Sequence, residues 1–411
     1  MAKQLMTQNA FYLDSSACSG CKACQAACKD KHNLPVGILW RRVYEVTGGG
    51  WTRRGPAWVS DVFAYNLSLA CNHCARPICV EVCPSQAMYR RGDGIVLLES
   101  DKCLGCQYCS WACPYGAPQY DAGAGRMTKC TLCADNIDVG KPPACVAACP
   151  LRVLDVGDLR DLQARHGDGR VIFPLPDTHL TEPALVIKPH SQAERAAREP
   201  ARVGNAEEVS QREATQEHAL VWFTLLAQTA VGAFCTSLVL NIWANMAPVI
   251  ALTMLLAMIA SLFHLGTPAN AWRAFANLRS SWLSREILFT VLFTGAVVIL
   301  TALQSLDVGT DENRQALAWA ATLIGLALVY SMSRVYRLRT VPAWNRWTTP
   351  ASFFLTAFVL GGLAVSATTA LATGQVVLSI VFAGAFAVAL AVAVRVRSRF
   401  YAVGRCNRPP Q

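Results

Sequence analysis

The second half of the chain is built from long apolar runs separated by short polar loops. From His218 onward, six stretches contain no Lys, Arg, Asp or Glu: residues 219–240, 247–266, 287–306, 315–333, 351–374 and 376–394. Each is about 19 residues or longer, and a helix of roughly 20 residues crosses the ~30 Å hydrocarbon layer of a bilayer. Six such runs in succession predict an all-α polytopic membrane bundle over residues 218–411. The first half has a different pattern. Short β-like runs, Asp61–Leu69 (DVFAYNLSL) and Gly94–Leu98 (GIVLL), lie between blocks of cysteine and predict a small α+β domain over residues 1–189. Its last part, 151–189, lacks cysteine and ends in HLTEPALVIKP, a stretch expected to pack back on the domain. Residues 190–217 are polar, charged and without aromatics, so they read as a linker, part of it helical.

Composition sharpens this division. The chain averages 53% hydrophobic and 16% charged residues, yet sixteen of its eighteen cysteines fall before residue 150. The formal charge of +10 does not point to nucleic acid, because the arginines concentrate in the loops of the membrane half. An even number of spans puts both ends of the anchor on one side. That side carries Arg273, Arg279 and Arg285, then Arg334, Arg337, Arg339 and Arg346, and the tail arginines 395, 397, 399, 405 and 408; the opposite loops hold only Arg314. The positive-inside rule then places the cysteine domain in the cytoplasm, on a cell (inner) membrane. The opening MAKQLMTQNAFYLDSS has no apolar core and no twin-arginine pair, so no export signal is expected.

The cysteines carry the chemistry. Four blocks recur: Cys18-x2-Cys21-x2-Cys24-x3-Cys28; Cys71-x2-Cys74-x4-Cys79-x3-Cys83; Cys103-x2-Cys106-x2-Cys109-x3-Cys113; and Cys130-x2-Cys133-x11-Cys145-x3-Cys149, the last three each followed by proline. Such regularity argues against a disulfide framework, and zinc sites use isolated pairs rather than runs of three plus one. The pattern is that of [4Fe–4S] ligation, in which three cysteines of a run wrap one cluster and the fourth serves another. Sixteen ligands make four clusters. Spacing alone leaves the pairing of blocks open; exchange between the second and third blocks, with the first and fourth paired around them, is the expected arrangement. Its sets are Cys18, Cys21, Cys24 with Cys149; Cys130, Cys133, Cys145 with Cys28; Cys71, Cys74, Cys79 with Cys113; and Cys103, Cys106, Cys109 with Cys83. Lys22, Lys29, Lys102 and Lys129 adjoin ligands and are expected mostly at the surface. His73, between Cys71 and Cys74, reads as a hydrogen-bonding neighbour, and Cys235 and Cys406 need no function.

In the membrane half one ionisable residue falls within the apolar runs, His264 at the end of the second. Glu286 opens the third run just after Ser284, where a carboxylate also suits a helix start. Both positions face the side that carries the cysteine domain. A quinol pocket lined by His264 and Glu286 would place proton acceptors beside an electron exit.

These stretches also carry a resemblance. FYLDSSACSGCKACQAACKD, LACNHCARPICVEVCPSQAM, CLGCQYCSWACPYGAPQY, MTKCTLC and CVAACPLRVLDVG make the first half similar to the four-cluster electron-transfer subunit of dimethyl sulfoxide reductase. SLFHLGTPANAWRAF, SSWLSREI and VYRLRTVPAWN make the second half similar to that enzyme's membrane anchor subunit. The resemblance implies a double-ferredoxin α+β domain fused to its anchor. It also implies menaquinol oxidation at His264 and Glu286, the same pairing of cysteine blocks, and a separate molybdopterin-containing catalytic subunit fed from the membrane quinone pool. The family anchor has eight spans and only six are found here, so a C-terminal pair is expected to be missing. The family enzyme is exported through a signal on its catalytic partner, which would put the domain on the periplasmic side. A cytoplasm-facing sulfite:quinone oxidoreductase, with electrons flowing from sulfite to quinone, is the alternative. A redox sensor needs fewer clusters, and an ion pump would need charged residues inside several spans.

Overall fold

A computed structural model describes residues 7–169, 172–205 and 214–406, which divide into two units near residue 210. In the first unit, strand Asn9–Asp14 is the centre of a three-stranded sheet, antiparallel to Leu154–Asp158 and parallel to Leu185–Lys188. Its alternation explains its place. Ala10 and Tyr12 pack with Leu162 of helix Leu159–His166, while Phe11 and Leu13 point the other way, into the cysteine-lined core. The stretch expected to pack back therefore supplies a strand of this sheet.

A second sheet has Arg42–Gly48 at its centre, antiparallel to both Phe63–Leu69 and Ala201–Asn205. Val43, Val46, Phe63, Tyr65 and Leu67 from it join the same core. Each such side chain contributes about 1.5–3 kcal/mol by leaving water. Three hairpins complete the strands: Trp51–Arg54 with Ala57–Ser60, Met88–Arg90 with Val96–Leu98, and Gln119–Asp121 with Arg126–Thr128.

The expected linker is corrected in part. Helix Ala193–Arg198 buries Ala193 and Ala196 in the core, and Ala201–Asn205 pairs as an edge strand. Residues 190–205 thus belong to the first unit. Their polarity hid this, because a helix that buries only alanines and an edge strand need few large apolar residues. Residues 206–213 of that stretch lie outside the described residues.

Among the described residues the second unit holds six helices long and apolar enough to cross a membrane: Ala214–Val239, Trp243–Leu262, Trp282–Ser305, Asp311–Tyr336, Thr348–Ala372 and Val376–Cys406. Two boundaries differ from those read off the charges. The second helix stops at Leu262, leaving His264 in the turn beyond it. The third starts at Trp282, because Ser281 caps it by accepting from the Ser284 amide at 3.4 Å. Glu286 therefore sits in the second turn rather than at the helix mouth. Arg285 interrupts the apolar run without ending the helix: its guanidinium donates to the carbonyls of Leu278 (2.9 Å) and Arg279 (2.6 Å) and lies 4.3 Å from the Trp282 ring centroid. Arg334, near the end of the fourth helix, lies 4.8 Å from the same ring. Tryptophan and arginine together are typical of a membrane interface.

The first and fifth helices pack backbone to backbone. A Cβ at Gly232 would run into the Ala357 carbonyl, and one at Gly361 into the Gly232 backbone, as in small-residue helix crossings. The sixth helix buries none of its apolar stretch within this unit. Near its end it is held by Arg397 over the Phe353 ring at 3.7 Å and by Trp344 Nε1 donating to the Phe400 carbonyl at 2.8 Å. Gly232→Leu is expected to cost at least about 1–3 kcal/mol through overpacking, and to lower the thermal midpoint of the detergent-solubilised chain. Gly362→Leu, where a Cβ meets nothing within 4 Å, should leave that midpoint nearly unchanged.

Candidate functional site

The cysteine loops share one backbone device. In the first Cys-x2-Cys pair of each block the residue just before the second cysteine has positive φ: Gly20 (70°), His73 (41°), Gly105 (68°) and Leu132 (56°). This left-handed turn directs amides at sulfur. Gly105 N donates to Cys103 Sγ at 3.4 Å, and Leu132 N to Cys130 Sγ at 3.3 Å. Lys22 (62°) and Gln107 (59°) adopt the same conformation two residues later, and each precedes a helix, Ala23–Lys31 or Tyr108–Ala112, that carries the next cysteine. A side chain in this conformation costs roughly 1–2 kcal/mol, so shape has prevailed over local preference at His73, Leu132, Lys22 and Gln107.

The loops converge into four groups. Cys18, Cys21, Cys24 and Cys149 line one cavity with Gly20, Ser68 and Pro150. Cys28 lies beside Cys145 and Cys133, and Cys130 beside Cys28 and Cys145. Cys79 neighbours Cys113, Cys71 and Cys74, while Cys109 neighbours Cys106, Cys83 and Cys103. Each group draws three cysteines from one block and one from another, and no disulfide joins them. Among the described residues, no three His, Cys, Asp or Glu side chains close on a single ion as ligands about 2.3 Å from zinc must.

Burial dominates the electrostatics of the thiols. Burial, then repulsion from Cys145, pushes the Cys28 thiol up to about 12; burial foremost does the same to Cys106. Cys74, Cys79, Cys109 and Cys130 are also raised, burial again leading. Left unbound, these cysteines stay protonated; as thiolate ligands they would need compensating positive charge, which iron supplies in the cluster reading. The donor set fits [4Fe–4S] clusters: thiols in fours, amides directed at sulfur, and buried donors left without partners.

Several polar side chains around the sulfurs carry little mark in the sequence. Arg41 is only 2% exposed; its Nη1 donates to the Ser68 carbonyl (3.1 Å) and Oγ (3.2 Å), while Nε and Nη2 have no partner. The only signal was a doubled arginine entering an apolar strand. His32 Nε2 lies 3.3 Å from Cys133 Sγ. Lys129 is also buried, contrary to the surface expectation, and its Nζ donates to the carbonyls of Val96 (2.5 Å) and Cys130 (2.7 Å). His73 accepts at Nδ1 from the Val96 amide (3.0 Å), and burial, with Lys129 and Arg41 nearby, holds it neutral, with its proton on an unpartnered Nε2.

In the membrane unit, Glu286 is 4% exposed and forms no ion pair among the described residues. His264 is half-buried with Nδ1 unpartnered. No hydrogen bond joins the two. A buried carboxyl without a counter-charge in a membrane helix makes Glu286 a candidate functional group.

Comparisons with known proteins agree with this layout. Residues 62–159 match the 4Fe-4S dicluster domain, and residues 212–401 match the DMSO reductase anchor subunit (DmsC). One chain of the anaerobic dimethyl sulfoxide reductase of Escherichia coli (strain K12) is 50% identical over 189 residues, 46% of this chain and 92% of the relative. The present chain belongs to the dimethyl sulfoxide reductase family. Its first half is an iron–sulfur electron-transfer subunit and its second a multi-pass membrane anchor, fused in one polypeptide. The corresponding chain of the Haemophilus influenzae reductase is 46% identical over 205 residues, half of this chain and all of that one. A sulfite dehydrogenase subunit of Allochromatium vinosum is 38% identical over 178 residues, 38% of this chain and 71% of the relative.

The shared turn is testable in this dimethyl sulfoxide reductase family member. Gly105→Ala is expected to destabilise the first unit by about 1–2 kcal/mol, and Lys22→Gly to stabilise it by up to about 1 kcal/mol. Anaerobic thermal unfolding of the full chain reads both.

Proposed function

We propose that this chain carries electrons from menaquinol, through four [4Fe–4S] clusters, to a molybdopterin-containing catalytic subunit that reduces dimethyl sulfoxide or a related oxide. The observation that carries the reading is that each cysteine group has a cysteine of the next group close enough to act on it electrostatically. Cys24 of the first group lies beside Cys145 of the second. Cys130 of the second lies beside Cys71 of the third, and Cys79 of the third beside Cys109 of the fourth. Such a row suits a wire, whereas a sensor has no use for it. The ligands are Cys18, Cys21, Cys24 and Cys149; Cys28, Cys130, Cys133 and Cys145; Cys71, Cys74, Cys79 and Cys113; and Cys83, Cys103, Cys106 and Cys109. Clusters held there would supply one-electron transfer with no bond made or broken.

The rest falls to side chains. The left-handed loops hold sulfurs and amides in place, and the buried sheet excludes water from the inner groups. In the anchor, oxidation of menaquinol releases two electrons and two protons, and His264 and Glu286 accept the protons. The arginine-rich loops favour a cytoplasmic first unit. That placement, together with the likeness to a sulfite dehydrogenase subunit, sustains a second reading in which electrons run from sulfite to quinone.

Anaerobically purified chain should contain about sixteen iron atoms and as many acid-labile sulfides. Cys18→Ala and Cys149→Ala should delete the same electron paramagnetic resonance signal. Loss of different signals would break the proposed pairing. In membranes with the catalytic partner, His264→Ala and Glu286→Gln should each slow sulfoxide-driven menaquinol oxidation by roughly 100-fold, with iron content unchanged. Quinone reduction on adding sulfite, with no sulfoxide-driven turnover, would instead establish the second reading.

A further inference from the structure

A guanidinium carries five N–H groups and stays charged inside a protein. Arg41 spends those of Nη1 on Ser68 and stacks its Cζ 4.4 Å from the Phe11 ring centroid, which fixes the plane of the group. Nε and Nη2 keep three N–H groups that meet no acceptor. No carboxylate pairs with it among the described residues. Burial opposes its charge, and what more than offsets burial is sulfur: Cys145, Cys130, Cys24 and Cys28. Cys24 belongs to the first group and the other three to the second. Ser68, which anchors Nη1, also lies 3.2 Å from Cys24 Sγ. The guanidinium therefore stands between two cysteine groups, held to Ser68 beside Cys24, with its remaining donors unpartnered.

Leaving a buried donor unpaired costs about 1–3 kcal/mol, and more when it is charged. An arginine with three such donors belongs beside a strong acceptor that the side chains do not provide. We propose that Arg41 donates hydrogen bonds to the sulfurs of the clusters held by Cys18, Cys21, Cys24, Cys149 and by Cys28, Cys130, Cys133, Cys145, acting as a positioning residue that raises both reduction potentials. The inference rests on the cluster reading above. Its physics is direct, because reduction adds a negative charge to each cluster and a fixed cation with donors to sulfur favours the reduced form. Ser68 and Phe11 act through Arg41, holding the fork in place.

The test is a potentiometric titration of the holoprotein in membranes, followed by electron paramagnetic resonance. In Arg41→Gln the two clusters nearest residue 41 should each become at least tenfold harder to reduce, a fall of about 59 mV for a one-electron couple. The cluster of Cys83, Cys103, Cys106 and Cys109 should keep its potential. Arg41→Lys, which retains the charge and loses the fork, should fall by less. Full iron content with all midpoints unchanged in Arg41→Gln would overturn the proposal. If that variant does not assemble, wild-type chain labelled with 15N-arginine decides the matter. Hyperfine coupling of an arginine nitrogen to a reduced cluster is expected in pulsed spectra, and its absence refutes the contact. Wild-type chain lacking iron and sulfide would instead sink the cluster reading itself, an outcome distinct from either.

Discussion

Thiolates repel one another, and a protein interior amplifies the repulsion. That constraint governs the first unit more than any apolar core does. Its sixteen loop cysteines are mostly buried, and many sit beside two or three others whose ionisation would raise their own protonation. Two small sheets and a few short helices enclose the collection readily as neutral thiols; as thiolates it would need the compensating charge that iron supplies. The strands therefore read best as walls: Phe11, Leu13, Val43, Val46 and Leu67 close the space around the cysteines. Arg41 and Lys129 add buried positive charge among them.

The membrane unit answers a different constraint, since burying apolar surface gains nothing where the solvent is itself apolar. Close approach replaces it. Gly232 and Gly361 let two helices touch through their backbones, and Phe234 meets Phe293 edge to face at 5.8 Å. Arginines pinned on Trp282 mark where the bundle meets water. Most buried polar side chains in this unit are serines and threonines, whereas Glu286 is a buried carboxyl.

Much of this was legible in the residues. Six charge-free runs announced six helices among the described residues, and the four cysteine blocks announced the iron–sulfur domain, while spacing left the pairing of the blocks open. What escaped notice did so for physical reasons. Helix ends obey caps rather than charge, so Ser281 and the stacked Arg285 moved Glu286 a turn inward. Strand Ala201–Asn205 needs only a neighbour's backbone, which composition does not record. Arg41 and Lys129 resemble surface residues in every local respect; only the fold reveals that they lie beside sulfur.

Exposure is uneven along the row of cysteine groups. Cys21 is exposed and Cys18 partly so, whereas every member of the second group is buried. A cluster held at the first position, as proposed, would be the one most open to the solvent, and molecular oxygen in that solvent would reach it first, so careless handling would break the path at its first step.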